Sequence, residues 1–151
     1  MIREYRNHWL SPLMFLGASF ILHLFWENLQ APLYVGFTSY RAHFWICFKA
    51  TGGDLLFMLI LYAALAVIHR SPFWIADRSA YEHPATWTIV PFIGVLLAVG
   101  FELWAVYVDH RWQYAAMPMI PVLGIGLFPV LQMIVIPLVA ITISARFVPR
   151  S

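Results

Sequence analysis

Four long apolar runs without a Lys or Arg dominate the chain. The first covers about residues 12–32, and its only ionisable groups are His23 and Glu27. The second covers about 50–68 with Asp54 near its start, and the third about 87–108 with Glu102 as its only charge. The fourth covers about 120–145 and has no charge and one amide, Gln132. Each run reaches the ~20 residues that a helix needs to cross a hydrocarbon core about 30 Å thick. None shows the period-2 alternation of a membrane barrel, and in lipid a helix is then the way for the backbone to satisfy its own hydrogen bonds. The pattern predicts an all-α, polytopic membrane protein: four transmembrane helices in one bundle, a single domain over residues 1–151. The basic start resembles a signal peptide, but the small residues Gly17–Ser19 lie mid-run rather than at its end, so this segment is expected to be retained.

Composition supports this reading and removes alternatives. Hydrophobic residues make up 62% of the chain and charged ones 11%, against roughly half and a quarter in soluble domains. There is too little charge to cover a surface in water. The single Cys47 rules out a disulfide scaffold. A net charge of +2, with nine scattered basic residues, excludes nucleic acid as a partner. Arg3, Arg6, Arg70, Arg78, Arg146 and Arg150 flank one side of the spans, and Arg41, Lys49 and Arg111 the other. Six against three predicts both termini in the cytoplasm. Trp9, Trp74 and Trp87 are expected to mark the inner boundary, and Tyr34, Tyr40, Trp45, Tyr107, Trp112 and Tyr114 the outer one. The loop from about 69 to 86 is expected to carry no fold of its own. Pro91, Pro129 and Pro137 fall inside spans, where a kink is expected, and Gly94 with Ala98 offers a close helix approach.

The charges that remain locate the chemistry. Counted from the cytoplasmic end of each run, Glu27, Asp54, Glu102 and Gln132 all lie about 13–15 residues up, or ~20–22 Å at 1.5 Å per residue. Each span therefore brings one strongly polar side chain to the outer half of the core. Burying an ionisable group in lipid costs at least ~2.5–3.5 kcal/mol, so such groups face the bundle interior. Three carboxylates at one level cannot all be ionised without cations nearby, because desolvation and like charge disfavour the charged form. His23, Lys49 and Arg111 are the available compensators. His23, Glu27 and Gln30 share one helix face, and Arg111 could fold its long side chain down into the bundle. Hydrogen-bonded cement between helices is one reading of this layer; a working pocket open to the outer face is the other, and three acids at one depth favour it.

Other chemistries fit less well. Bis-histidine haem needs two facing histidines, and only His23 lies deep. Glu27, Asp54, Glu102 and His23 would suit a divalent cation, but the paired Glu-x-x-His motifs of a di-iron bundle are absent, so no metal is assigned and no cofactor follows from the sequence. His43 and Cys47 lie four apart, on a face that would continue to Asp54 if Gly52–Gly53 did not interrupt the helix; Cys47 is read as an inert apolar residue.

The elements Trp26-Glu27-Asn28-Leu29-Gln30-Ala31-Pro32-Leu33-Tyr34, Gly53-Asp54, Glu102, Arg111-Trp112 with Tyr114, Met117-Pro118, Gly124, Gly126, Pro129, Gln132 and Pro137 together resemble a family of small, uncharacterised bacterial integral membrane proteins. The resemblance spans about residues 26–137. It implies a four-helix, multi-pass protein of the bacterial inner (cytoplasmic) membrane and brings no established activity. In that pattern a His-Cys pair often precedes the Gly-Asp segment; here Phe48-Lys49-Ala50 stands there, which tells against a metal site.

Three functions compete. An enzyme for a lipophilic substrate, an isoprenoid or other lipid, would use Glu27, Asp54 and Glu102 as its acids. His23, Gln30, Arg111, Trp112, Tyr114 and Gln132 would bind the substrate, with Phe25, Trp26, Trp104 and Trp112 shaping the pocket. A small cation or proton transporter would use the same layer and need a homo-oligomer to enclose a path. An accessory or assembly subunit would bury its apolar faces in a larger membrane complex.

Overall fold

The computed structural model describes residues 2–148, with side chains from Trp9 onward. The side chains of Arg3 and Arg6, and all of Arg150, lie outside the described residues. The fold is all-α. Its helices are α1 (Ile2–Gln30), α2 (Tyr40–Ile68), the short α3 (Arg78–Glu82), α4 (Pro84–Tyr107) and α5 (Leu127–Ala145). Four segments are long and apolar enough to cross a membrane: Trp9–Leu33, Tyr40–Ile68, Pro84–Tyr107 and Leu127–Ala145. The chain is thus a multi-pass membrane protein by its architecture.

The helix ends follow local chemistry. α1 tightens into a 3-10 turn over Ala31–Leu33, where Pro32 sits. Ser39 caps α2 by accepting the Ala42 N–H (3.3 Å). The His83 ring caps α4 by accepting the Ala85 N–H (3.2 Å), with Pro84 in the first turn. Three boundaries differ from the expected ones. α1 begins at Ile2 rather than about residue 12. α2 begins at Tyr40 rather than about residue 50 and runs unbroken through Gly52–Gly53. Its 29 residues span ~43 Å, so its first turns, with Arg41, His43 and Lys49, extend the helix beyond the apolar run. α5 begins at Leu127, because the residues before it form a small hairpin, β1 (Met119–Ile120) paired antiparallel with β2 (Ile125–Gly126). Pro129 then falls in the first turn of α5, where an N–H has no intrahelical partner anyway, and so the expected reason for a kink disappears.

Around the bundle, α1 packs against both α2 and α5, and α5 packs against α4. α2 and α4 are the outer members of this row and meet each other only sparsely. Gly94 permits a close approach of α4 to α5: a Cβ there would collide with the Met133 carbonyl. The termini-side core gathers Phe15, Met58, Leu61, Leu65, Val90, Ala140 and Ile141 with Trp74 and Ile75. The last two come from the loop expected to be structureless. That loop forms a 3-10 turn (Trp74–Ala76) and α3, and it plugs the end of the bundle. Trp74 is fully buried rather than interfacial. Its indole N–H donates to the Tyr62 carbonyl (3.1 Å) and its ring stacks on His69, so no polar group is stranded.

Candidate functional site

The opposite half of the bundle is only partly filled, by a cluster of Ala98, Ile125, Val130 and Met133. A cavity of about 610 Å³ lies between α1, α2, α4 and α5, with Glu27, Asp54, Glu102, Gln30 and Gln132 in its wall. Ala98, Met133, Phe57 and Phe101 supply apolar wall. Ile46, Lys49, Gly53 and Leu56 of α2 line it too, and all four are exposed. The cavity therefore opens sideways, through the gap that the weak α2–α4 contact leaves. Phe57 and Phe101 span that gap edge to face, 5.4 Å between centroids.

The polar wall is a hydrogen-bonded lattice centred on Gln132. Its amide nitrogen lies 2.9 Å from Asp54 Oδ2 and 2.9 Å from His23 Nδ1. Its Oε1 accepts from Gln30 Nε2 (3.2 Å), whose other N–H goes to Glu27 Oε1 (2.7 Å). Both amides thus spend both donors, and α1, α2 and α5 are tied together at one level. With the Gln132 N–H donating to Nδ1, the His23 imidazole carries its proton on Nε2. That Nε2 is buried and has no partner, and the same is true of Gln30 Oε1. The helix repeat explains why one segment supplies so much: His23, Glu27 and Gln30 recur at i, i+4 and i+7 on one face.

Glu102, from α4, is 4% exposed. It receives the Tyr114 hydroxyl, and the Trp112 indole lies beside it, though its N–H reaches no acceptor at hydrogen-bond geometry. These two rings come from the segment after α4, which pairs with the segment after α1. Val35 N–H donates to Gln113 (2.9 Å) and Ala115 N–H to Leu33 (2.8 Å). Tyr34 packs on Trp112 and Tyr114, with centroids 6.1 and 5.6 Å away. The pair of loops forms an aromatic cover over the end of the cavity. Burial pushes the Tyr34 phenol above its usual range, and the Glu102 and Glu27 carboxylates push it further. Tyr114 is raised as well, by burial first and then by its bond to Glu102.

The structure gathers Glu27, Asp54, Glu102, Gln30, Gln132 and Trp112 around one space. His23 stands behind that wall, and Tyr114 backs Glu102. Three expectations need correction. His23, expected among the substrate-binding residues, does not line the cavity: it bonds to Gln132 and lies 3.4 Å from Asp54. Arg111 does not fold down to the carboxylates. It stays at the cavity mouth, paired with Asp109 and laid over the Trp104 ring, 4.7 Å from its centroid. Phe25 points away and is 63% exposed, because residues two apart on a helix face opposite sides; Trp26 packs on Phe128. The aromatic lining is Tyr34, Phe57, Phe101 and Trp112. Phe57 was legible, one turn beyond Asp54. Tyr34 was not, since it arrives through loop pairing.

Among the described residues, no three His, Cys, Asp or Glu side chains are grouped so as to hold a metal ion. Compared with known families, curated proteins and solved structures, the chain finds no match.

Proposed function

We propose that this protein binds a lipophilic molecule, an isoprenoid or other lipid, that enters from the bilayer through the gap between α2 and α4, and that Glu27 and Asp54 exchange protons with its polar end. One observation carries the reading: an apolar-walled cavity opens sideways and has three carboxylates in its wall. Sites for drug-sized molecules occupy ~300–1,000 Å³ and combine apolar walls with a few convergent polar groups; this cavity has both properties. On the positive-inside orientation, with both termini in the cytoplasm, the site lies in the outer half of the bacterial inner membrane. A substrate of this kind needs no aqueous path across the bundle, which separates the reading from a transporter.

The test is extraction in a mild detergent followed by mass spectrometry of retained small molecules, for the natural chain and for Glu27→Gln. A lipophile retained by the first and lost from the second is the expected result. Equal retention by both overturns the role of Glu27. Stable co-purification of a partner protein, with no retained lipophile and indifference to Glu27→Gln, would establish the accessory-subunit reading instead.

A further inference from the structure

The hydrogen-bond bookkeeping of the cavity says what kind of polar end it accepts. Around the carboxylates the amide donors are already committed. Gln30 gives its two N–H groups to Glu27 and Gln132, and Gln132 gives its two to Asp54 and His23. The Tyr114 hydroxyl is spent on Glu102; the Trp112 N–H beside the same group, and the His23 Nε2–H behind the wall, are buried donors left without a partner. Acceptor capacity exceeds these remaining donors. Each carboxylate has about four lone-pair sites, of which these bonds use a fraction. Gln30 Oε1 is buried without any partner, on a residue only 3% exposed that lines the cavity. A buried acceptor left unmade costs about 1–3 kcal/mol, so it marks a place where a donor belongs.

Charge points the same way. Among the described residues, no Lys or Arg is ion-paired with Glu27, Asp54 or Glu102. Lys49 and Arg111 line the mouth, and Arg111 is taken by Asp109. The inner wall holds three carboxylates without a Lys or Arg of their own, in a cavity also lined by Phe57, Phe101, Tyr34 and Trp112. Carboxylate oxygens together with aromatic faces are the surroundings that stabilise an ammonium group.

We propose that the cavity receives the protonated amine head group of a lipophilic molecule, held by Glu27, Asp54, Glu102 and the free Oε1 of Gln30, with its apolar body lying in the α2–α4 gap. The inference rests on the lateral-access reading above and names the chemical class of its ligand. Two sources supply such a group: a simple long-chain amine, or an aminophospholipid whose phosphate would meet Lys49 and Arg111 at the mouth.

The experiment is titration of the detergent-purified full chain, followed by Trp fluorescence, with four probes: dodecylamine, dodecanol, a short-chain phosphatidylethanolamine and the matching phosphatidylglycerol. Dodecylamine should bind at least about tenfold more tightly than dodecanol, and Glu27→Gln and Glu102→Gln should each erase about tenfold of that preference. The dodecylamine–dodecanol comparison on the natural chain needs no variant, so it stands even if one substitution fails to fold. Phosphatidylethanolamine binding above dodecylamine, with the difference lost in Lys49→Met, supports the amine and assigns it to a phospholipid; dodecylamine binding at least as well supports the amine and assigns it to a free amphiphile. Equal binding of dodecanol and dodecylamine, with loss of both in Gly53→Leu, overturns the amine while leaving lateral access intact. Absence of saturable binding by every probe overturns the amine and the access reading together.

Discussion

The side-chain amide of Gln132 stands 2.9 Å from His23 Nδ1, joining residues 109 positions apart. The same nitrogen reaches Asp54, and the same side chain accepts from Gln30. A single neutral residue therefore holds three helices at the level of the cavity. The amide suits the position because it donates and accepts at once, which neither a carboxylate nor an apolar side chain can do.

Replacing Gln132 with Leu keeps much of the volume and removes three hydrogen bonds. Interhelical hydrogen bonds in membranes average about 0.6 kcal/mol each, so a loss of about 2 kcal/mol is expected. Reversible unfolding in mixed micelles measures it. An unchanged transition would show that the lattice contributes nothing to the bundle.

Two glycines of α4 should behave in opposite ways. Gly94→Ala forces a Cβ into the Met133 carbonyl, a backbone atom that cannot swing aside, and should cost about 1–3 kcal/mol. A Cβ at Gly100 meets nothing within 4 Å, so Gly100→Ala should be neutral or stabilise by roughly 0.5–1 kcal/mol, the helix preference for Ala over Gly. Thermal unfolding of the two variants side by side checks this; equal effects would contradict the α4–α5 approach.

Gly53 tests the opening without touching the carboxylates. It is exposed, lines the cavity, and has open space where a Cβ would go. Gly53→Leu should leave the unfolding transition in place or raise it slightly, while reducing retention of the bound lipophile about tenfold or more. Retention at the natural level would mean that ligands reach the cavity by another route.

Tyr114 should report on Glu102. Burial and the Glu102 bond raise its pKa in the folded state, above the ~10 of a free phenol. The stability linked to this group is then complete below the unfolded value and is lost as pH rises past it, because the unfolded chain releases the proton first. Ultraviolet difference titration of the natural chain against Tyr114→Phe should show ionisation above the ordinary range. Glu102→Gln should bring it part of the way down, since burial, the larger cause, remains. An ordinary titration in both backgrounds would remove the Tyr114–Glu102 bond from the site.

Hydropathy and helical spacing alone determined four spans and the all-α class, and pointed to Glu27, Asp54, Glu102 and Gln132, which line one cavity. These are one-dimensional properties: a bilayer sets helix length, and a 1.5 Å rise turns residue number into depth. The longer α2, continuous through Gly52–Gly53, was less legible, because packing against α1 outweighs the weak helix preference of two glycines. The end plug is similar: Trp74 is an interfacial residue by type, and it became core once Tyr62 offered its indole a partner.

What only the tertiary structure decided is which helices touch. With α1 and α5 in the middle of the row, α2 and α4 are left as loose neighbours, and their gap becomes the opening. Arg111 lies at that opening rather than in the bundle because an exposed pairing with Asp109 and the Trp104 face spares the guanidinium its desolvation. The aromatic cover depends on two loops about eighty residues apart in the chain pairing through their backbones. Depth along the membrane normal is written in the local sequence; position around the bundle is set by long-range packing, in which each side chain's place depends on all the helices at once.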